Sequence, residues 1–216
     1  MWKMDANVKW FLEKKVERAI ASLKKHNMQG LYVENTVQLM NKIEELIPEN
    51  SLVAVGDSMT LFETGVIERL RSGKYQFLDK YEPGLTRIEK DQIYRQTFSA
   101  DTFLCSTNAL TEAGELYNID GNGSRVAAMI YGPKQVIIVA GVNKIVKNLQ
   151  EAEIRVRNYA APMDAKRLNK KTPCTTTGYC VDCQSEGRIC NDFVVIKRQF
   201  DPNRIKIILV GGSYGY

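Results

Sequence analysis

Leu52-Val53-Ala54-Val55-Gly56-Asp57-Ser58 carries the strongest signal for how this chain folds. Four apolar residues in a row predict a short strand that is buried on both faces, as in a parallel sheet. The glycine suits a tight turn, and Ser58 suits the cap of a following helix, which is predicted to reach about Arg71. A buried strand that leads directly into a helix is the repeating unit of α/β proteins.

The alternation of strands and helices continues on both sides of this stretch. Helices are predicted over residues 7–26, from the caps Asn35 and Thr86, and from the cap Asn143 to about Asn169. Apolar runs predict further strands at residues 30–33, 75–78, 102–107, 125–131, 135–140, 193–197 and 205–210. We therefore predict an α/β fold with a mainly parallel sheet flanked by helices, in a single domain of residues 1–216 with an N-terminal helical segment over about 1–30.

Composition limits the classes of function. The chain has 44% hydrophobic residues, 25% charged residues and a formal net charge of +5, which is ordinary for a globular protein. It contains no long basic run with interleaved aromatic residues, so we expect no nucleic-acid partner. No apolar segment is long enough to span a membrane, and the N-terminal residues lack the apolar core of a signal peptide. These features predict a cytoplasmic protein whose partners are small anionic substrates or cofactors.

Four of the five cysteines lie within seventeen residues, at Cys174, Cys180, Cys183 and Cys190. Four thiolates can fill the tetrahedral shell of one soft centre, either a zinc ion or an iron–sulfur cluster. The spacing C-x5-C-x2-C-x6-C matches neither a zinc ribbon nor a ferredoxin run. Because all four candidate ligands lie in one short insertion, at about 172–192, and no histidine contributes, we favour an iron–sulfur cluster of the [4Fe-4S] type. Zinc is the alternative. A third possibility is that the four thiols are unligated and lie in an ordinary loop.

Polar residues that follow predicted strands form the second group of candidates. Loops at the C-terminal ends of strands are where open α/β sheets bind ligands. Glu112 is the candidate for acid–base or covalent carboxylate catalysis. Lys144 is predicted near a helix start, where the macrodipole disfavours a cation, and is therefore a candidate for binding a carboxylate or phosphate. The segment Asp120-Gly121-Asn122-Gly123 is predicted to be a tight hairpin turn that leads into a strand.

Several ordered motifs resemble those of the LUD domain family, also called DUF162, to which the LutC-like and YkgG-like lactate utilization proteins belong. The motifs are Gly56-Asp-Ser-Met-Thr-Leu61, Tyr81-Glu-Pro-Gly-Leu85, Thr107-Asn-Ala-Leu-Thr-Glu-Ala-Gly114, Asp120-Gly-Asn-Gly-Ser-Arg125, Gly132-Pro133, Gly141-Val-Asn-Lys144 and Ala161-Pro-Met-Asp-Ala-Lys-Arg167. The resemblance covers most of the chain. The cysteine-rich loop is not part of the family's minimal domain.

This resemblance implies a fold like that of the NagB/RpiA/CoA-transferase class, with a cleft for an anionic ligand at the strand ends. It implies that Arg125 can bind a carboxylate through its forked guanidinium. The residues expected to converge on that cleft are Gly56, Asp57, Ser58, Thr107, Asn108, Glu112, Gly114, Asp120, Asn122, Arg125, Asn143 and Lys144.

Three functional hypotheses follow from the resemblance and the cysteines. The first is a component of 2-hydroxy-acid (lactate) oxidation that works with iron–sulfur or other redox partner proteins. The second is a non-redox isomerase or a CoA- or acyl-transfer enzyme that uses Glu112. The third is an accessory protein with a structural zinc. The sequence leaves open whether the chain is an enzyme by itself and whether it forms a homodimer.

Overall fold

The computed structural model describes residues 5–216 and contains two β-sheets. The larger is a six-stranded, all-parallel sheet in the order β1-β10-β7-β4-β2-β3. Its strands are β1 (Gln29–Val33), β2 (Leu52–Val55), β3 (Gln76–Leu78), β4 (Thr102–Cys105), β7 (Gln135–Gly141) and β10 (Ile205–Val210). The smaller, mixed sheet consists of β8 (Ile145–Val146), β5 (Ala109–Thr111), β6 (Leu116–Asp120) and β9 (Asp192–Ile196), in that order. The predicted α/β fold with a mainly parallel sheet is confirmed.

Helices cover both faces of the parallel sheet. They are α1 (Ala6–Lys25), α2 (Thr36–Leu46), α3 (Met59–Glu63), α4 (Val66–Leu70), α5 (Arg87–Gln96), α6 (Ser124–Ile130), α7 (Leu149–Arg155), α8 (Ala161–Arg167) and α9 (Cys174–Thr177). The side chains of successive β7 residues lie on opposite faces of the sheet. Ile138 packs against α1 and α6 on one face, whereas Ile137 packs against α2, α3 and α4 on the other. The central strands are continuous apolar runs because both of their faces are covered.

The helix starts follow the predicted caps at Asn35, Ser58 and Thr86, whereas the cap of α1, Asp5, was not predicted. Asp5 accepts hydrogen bonds at the start of α1, and Asn35 accepts one from Gln38 at the start of α2. Thr86 and Glu89 form a complete capping box on α5. The helix predicted over residues 58–71 is divided into α3 and α4 because Gly65 adopts a left-handed conformation with φ of 78°.

Two neighbouring predictions, for residues 120–123 and 125–131, are wrong. Residues 125–131 were expected to form a strand but form α6, whose buried side chains recur at helical spacing. The turn Asp120–Gly123 therefore joins a strand to a helix and is not a hairpin. A short apolar run contains too few residues for its period to separate helix from strand. The strands β5 and β6 were not predicted, since Thr111, Asn118 and Asp120 give them a polar composition.

The long helix predicted from Asn143 to Asn169 is also wrong. A 3-10 turn (Val142–Lys144) and β8 come first, and Asn148 caps α7 by accepting a hydrogen bond from Glu151 N. One π-helical turn, Val156–Ala160, separates α7 from α8. The helical part of this segment covers the smaller sheet, where Val156 packs among buried residues of β5, β6 and β8.

No helix within residues 5–216 is both long and apolar enough to span a membrane.

Candidate functional site

A cleft of about 420 Å³ lies at the C-terminal ends of several strands, between the parallel sheet and the segment that contains α7 and α8. Residues that follow β2, β4, β6 and β7 contribute to it, which is the usual place for ligands in open α/β sheets. Its polar lining consists of Asp57, Ser58, Ser106, Thr107, Asn108, Asp120, Asn122, Ser124, Arg125, Lys144, Asp164, Arg167, Lys170, Arg188 and Tyr216.

The structure brings most of the sequence-predicted site residues to this cleft. Those that line it are Asp57, Ser58, Thr107, Asn108, Asp120, Asn122, Arg125 and Lys144. Ser58 also caps α3 by accepting a hydrogen bond from Leu61 N. The other four residues, Gly56, Glu112, Gly114 and Asn143, lie outside its lining. Asn143 instead holds the C-terminal segment, since its side chain hydrogen-bonds to Gly215 and Tyr214.

Glu112 and Gly114 belong to the contact between α1 and the smaller sheet. The Glu112 carboxylate forms an ion pair with Arg18 of α1, with Oε2 2.5 Å from Arg18 Nε. Gly114 has φ of 84°, and an added Cβ would lie 2.8 Å from the backbone nitrogen of Leu23. The expectation that Glu112 shares the cleft is therefore wrong, because the motif that contains it packs against a helix.

Gly56 lies directly beneath Arg125. A Cβ at Gly56 would be 2.9 Å from Arg125 Cγ and 3.0 Å from Cys105 Cβ. The glycine is therefore needed for close packing, since any side chain would push the arginine out of place.

Arg125 is a buried structural residue at the base of the cleft. Its terminal nitrogens donate to Ser106 O (3.1 Å), Asn118 Oδ1 (2.6 Å), Asn108 Oδ1 (3.0 Å) and Ile119 O (2.9 Å), and its Nε lies 3.5 Å from Asp120 Oδ2. These contacts join the loop after β4 to β6. Because the guanidinium donors are engaged within the protein, the geometry does not support the expected bidentate contact with a ligand carboxylate.

Lys144 is the most deeply buried cation in the cleft lining, with 3% of its surface exposed. Its ammonium lies 3.1 Å from Ser106 Oγ, and no carboxylate among residues 5–216 lies within ion-pair distance. Burial, together with the guanidiniums of Arg155 and Arg125, lowers the pKa of Lys144 to about 7. A large fraction of the Lys144 amines is therefore uncharged near neutral pH.

Asp57 presents an ionised carboxylate to the cleft. Its Oδ1 accepts hydrogen bonds from Lys80 Nζ and Tyr81 OH, each 3.0 Å away. Burial by itself would raise the pKa of Asp57, but the Lys80 ammonium and the Tyr81 hydroxyl outweigh it and hold that pKa below its usual value. Lys80 was missed by the sequence interpretation. It is buried, and it lies 5.0 Å from the ring centroid of Tyr94, within cation–π range.

Charge in the cleft favours anions. The Asp57 carboxylate is paired with Lys80, and the Asp164 carboxylate is paired with Arg167. Among the lining residues within 5–216, Lys170 and the partly protonated Lys144 have no carboxylate within ion-pair distance. A small anion that enters the cleft would therefore meet cations that no acidic side chain neutralises.

The four clustered cysteines all line a second, much smaller cavity of about 20 Å³. All four are free thiols, and the fifth cysteine, Cys105, is buried in the core at β4. Arg188 organises the loop by donating hydrogen bonds to the carbonyl oxygens of Cys183 and Cys190 and to the Asp182 carboxylate. The sequence-predicted ligands are therefore brought to one place.

Two of the four thiols, Cys183 and Cys190, have shifted pKa values. Burial, followed by the neighbouring sulfurs of Cys180, Cys174 and Cys183, raises the pKa of Cys190 to about 11. Hydrogen bonds from Ser185 lower the pKa of Cys183. The four sulfurs that line this cavity match a soft metal centre, which takes four thiolate ligands. Within residues 5–216, however, no three His, Cys, Asp or Glu side chains are already placed to hold a metal ion, so binding requires the loop to tighten.

The two cavities share part of their wall. Ala161, Arg188, Ile189 and Cys190 line both of them. Any centre that the four sulfurs bind would therefore lie directly beside the larger cleft.

Comparisons with known proteins identify the family. The family model of the LUD domain matches residues 16–210, so the chain belongs to the LUD domain family. The chain is similar to the crystal structure of a DUF162 family protein from Deinococcus radiodurans, with a TM-score of 0.52, 15% identity, and coverage of 94% of this chain and 98% of that one. At that identity the likeness shows the fold alone. A weaker match to eIF2B delta from Chaetomium thermophilum has a TM-score of 0.34 and 12% identity, and covers 68% of this chain and 56% of that one. No protein with a curated description matches the chain.

Proposed function

We propose that this LUD domain protein is a component of 2-hydroxy-acid (lactate) oxidation, in which the cleft binds the small carboxylate and the four cysteines hold an iron–sulfur cluster. The single observation that carries the proposal is the wall shared by the two cavities, to which Cys190 contributes a candidate ligand. The unneutralised cations of the cleft supply the preference for an anion.

In this proposal the charged residues of the cleft orient the substrate. Lys170, together with Arg167, binds the carboxylate of the 2-hydroxy acid. The ionised Asp57 accepts a hydrogen bond from the substrate hydroxyl. Oxidation to the 2-oxo acid releases two electrons and two protons. The protons would pass to solvent, and a bound cluster would carry the electrons one at a time to iron–sulfur or other redox partner proteins, which act as the oxidant.

Binding of the carboxylate is tested by calorimetry with lactate and pyruvate. Replacing Lys170 with Gln removes one charge-assisted contact, so we expect about tenfold weaker binding, which corresponds to about 1.4 kcal/mol. The matched control is Lys171→Gln, an exposed neighbour outside the cleft lining, which should leave the affinity unchanged. Equal effects of the two substitutions, or no binding of either acid, would contradict the proposal.

The cluster is tested by anaerobic reconstitution with iron and sulfide. We expect the sulfur-to-iron charge-transfer absorption to appear in the wild-type protein and in Cys105→Ser, since Cys105 lies in the core away from the loop. The absorption should be lost in Cys183→Ser. A colourless wild-type protein after reconstitution would refute the iron–sulfur proposal.

A structural zinc is the second candidate, favoured by the size of the smaller cavity. A volume of about 20 Å³ is close to that of a single water-sized site and suits one ion better than a cluster. Zinc would lock the loop, so chelation should lower the melting temperature. The acyl-transfer hypothesis loses its main support, because Glu112 is bonded to Arg18 outside the cleft.

A further inference from the structure

We propose that Lys144 is the nucleophile of the cleft, and that its amine forms a reversible imine with the carbonyl carbon of a small 2-oxo acid. The proposal rests on the proposed function, since it assumes that the cleft binds the carboxylate, and it adds a substrate class and a covalent step. The step balances without a further reactant: the amine nitrogen bonds to the carbonyl carbon, and the carbonyl oxygen leaves as water. Hydrolysis reverses it.

Lys144 is held at the cleft by the fold. The residue follows β7, and its side chain lines the cleft while only 3% of its surface is exposed. A lysine on the protein surface meets water and adopts many rotamers, whereas this one is held at a ligand cavity. Its polar partner in the cleft is the Ser106 hydroxyl, 3.1 Å from Nζ. A hydroxyl neighbour can pass protons during loss of water, and it leaves the amine free to react.

The charges around Lys144 favour its neutral amine. The groups that act on its ammonium are the guanidiniums of Arg155 and Arg125, which disfavour the charged form, and the carboxylates of Glu63 and Asp164, which favour it. Neither carboxylate is within ion-pair distance, and burial adds to the effect of the two arginines. The balance keeps the amine nucleophilic near neutral pH, as Schiff-base chemistry requires.

Lys80 provides an internal comparison. It is also buried, but its ammonium pairs with Asp57 and lies against Tyr81 and Tyr94. It is not part of the cleft lining. A buried lysine alone is therefore not enough to predict reactivity in this protein. Lys144 differs because it combines burial, access to the cavity and the lack of an adjacent carboxylate.

The experiment is reductive trapping of the full chain with pyruvate and cyanoborohydride, followed by mass spectrometry of the peptides. Near pH 7 a much larger fraction of the Lys144 amines is unprotonated than of surface lysines, whose pKa lies near 10.4. We expect one adduct per chain, heavier by pyruvic acid less one oxygen atom, on the peptide that contains Lys144. Lactate has no keto group and should give no adduct, but it should slow the labelling by competition.

Variants distinguish a reactive lysine from a merely accessible one. Lys144→Met should abolish the adduct, whereas Lys170→Gln should retain the site of labelling and raise the pyruvate concentration needed for it. Calorimetry on the same samples separates the two proposals. Binding of pyruvate without any Lys144 adduct would overturn the imine and leave the proposed function standing. Absence of binding would overturn both, and labelling spread evenly over surface lysines would overturn the imine.

Discussion

Replacing Arg125 with Met tests whether the arginine is a structural residue, as its hydrogen bonds indicate. The substitution keeps much of the side-chain volume but removes every donor. Four acceptors lose their partner: Ser106 O, Asn118 Oδ1, Asn108 Oδ1 and Ile119 O. Breaking a buried, hydrogen-bonded charge network typically costs about 3–5 kcal/mol, and water from the cleft can restore only part of the lost bonding.

We therefore expect Arg125→Met to lower the free energy of unfolding by about 4 kcal/mol, which corresponds to a fall in melting temperature of about 10 °C for a chain of this size. Arg125→Lys keeps the charge but loses the forked guanidinium. Its free energy of unfolding should therefore lie between those of the wild type and Arg125→Met. Urea titration followed by circular dichroism measures both. The matched control is Arg87→Met, an exposed arginine in the first turn of α5, which should change stability by less than about 0.5 kcal/mol. If Arg125→Met unfolds at the same urea concentration as the wild type, the assignment of Arg125 is wrong.

Two further predictions concern Lys144 and Gly114. The folded-state pKa of Lys144 is depressed to about 7, so its charge destabilises the fold fully below pH 7 and progressively less as the pH rises toward the unfolded value near 10.4. Urea titrations should therefore show the free energy of unfolding of the wild type rising by about 2.7 kcal/mol relative to that of Lys144→Met between pH 6 and pH 9, because each pH unit above the folded-state pKa contributes about 1.36 kcal/mol. A constant difference would contradict the depressed pKa. Gly114→Ala should lower the free energy of unfolding by about 3 kcal/mol, because the position combines a positive φ with a contact of 2.8 Å between the added Cβ and the backbone. The control is Gly84→Ala, at a φ of 88° with no atom within 4 Å of the added Cβ, which should lower it by about 1 kcal/mol. Equal losses for the two glycines would show that the contact with α1 is not tight.

The parallel sheet was predictable because its strands carry their own signal. Apolar runs such as Leu52–Val55 and Gln135–Gly141 are buried on both faces, and few other structures tolerate them. The smaller sheet was not predictable in this way. Asn118 is fully buried in β6, where its side-chain oxygen accepts hydrogen bonds from Arg125 and from Asn108 N. Local sequence does not show these partners.

The site was predictable in outline for the same reason. Strand ends share one edge of a parallel sheet, so Asp57, Asn108 and Lys144 could be placed together from the order of the elements. The roles of Arg125 and Glu112 could not be predicted, because each depends on a tertiary partner from a distant segment. Lys80 was missed because a lysine next to a tyrosine gives no local sign that it will be buried beside an aspartate.

The claim that the four cysteines bind one soft centre beside the cleft is tested most directly by the metal content of anaerobically purified protein. Elemental analysis of the wild type, Cys105→Ser and Cys183→Ser should give four irons with sulfide, or one zinc, per chain in the first two. In Cys183→Ser the metal should be largely lost. If the wild type holds no metal and its four loop thiols all react at once with a thiol reagent, or if Cys183→Ser retains the full metal content, the account is contradicted.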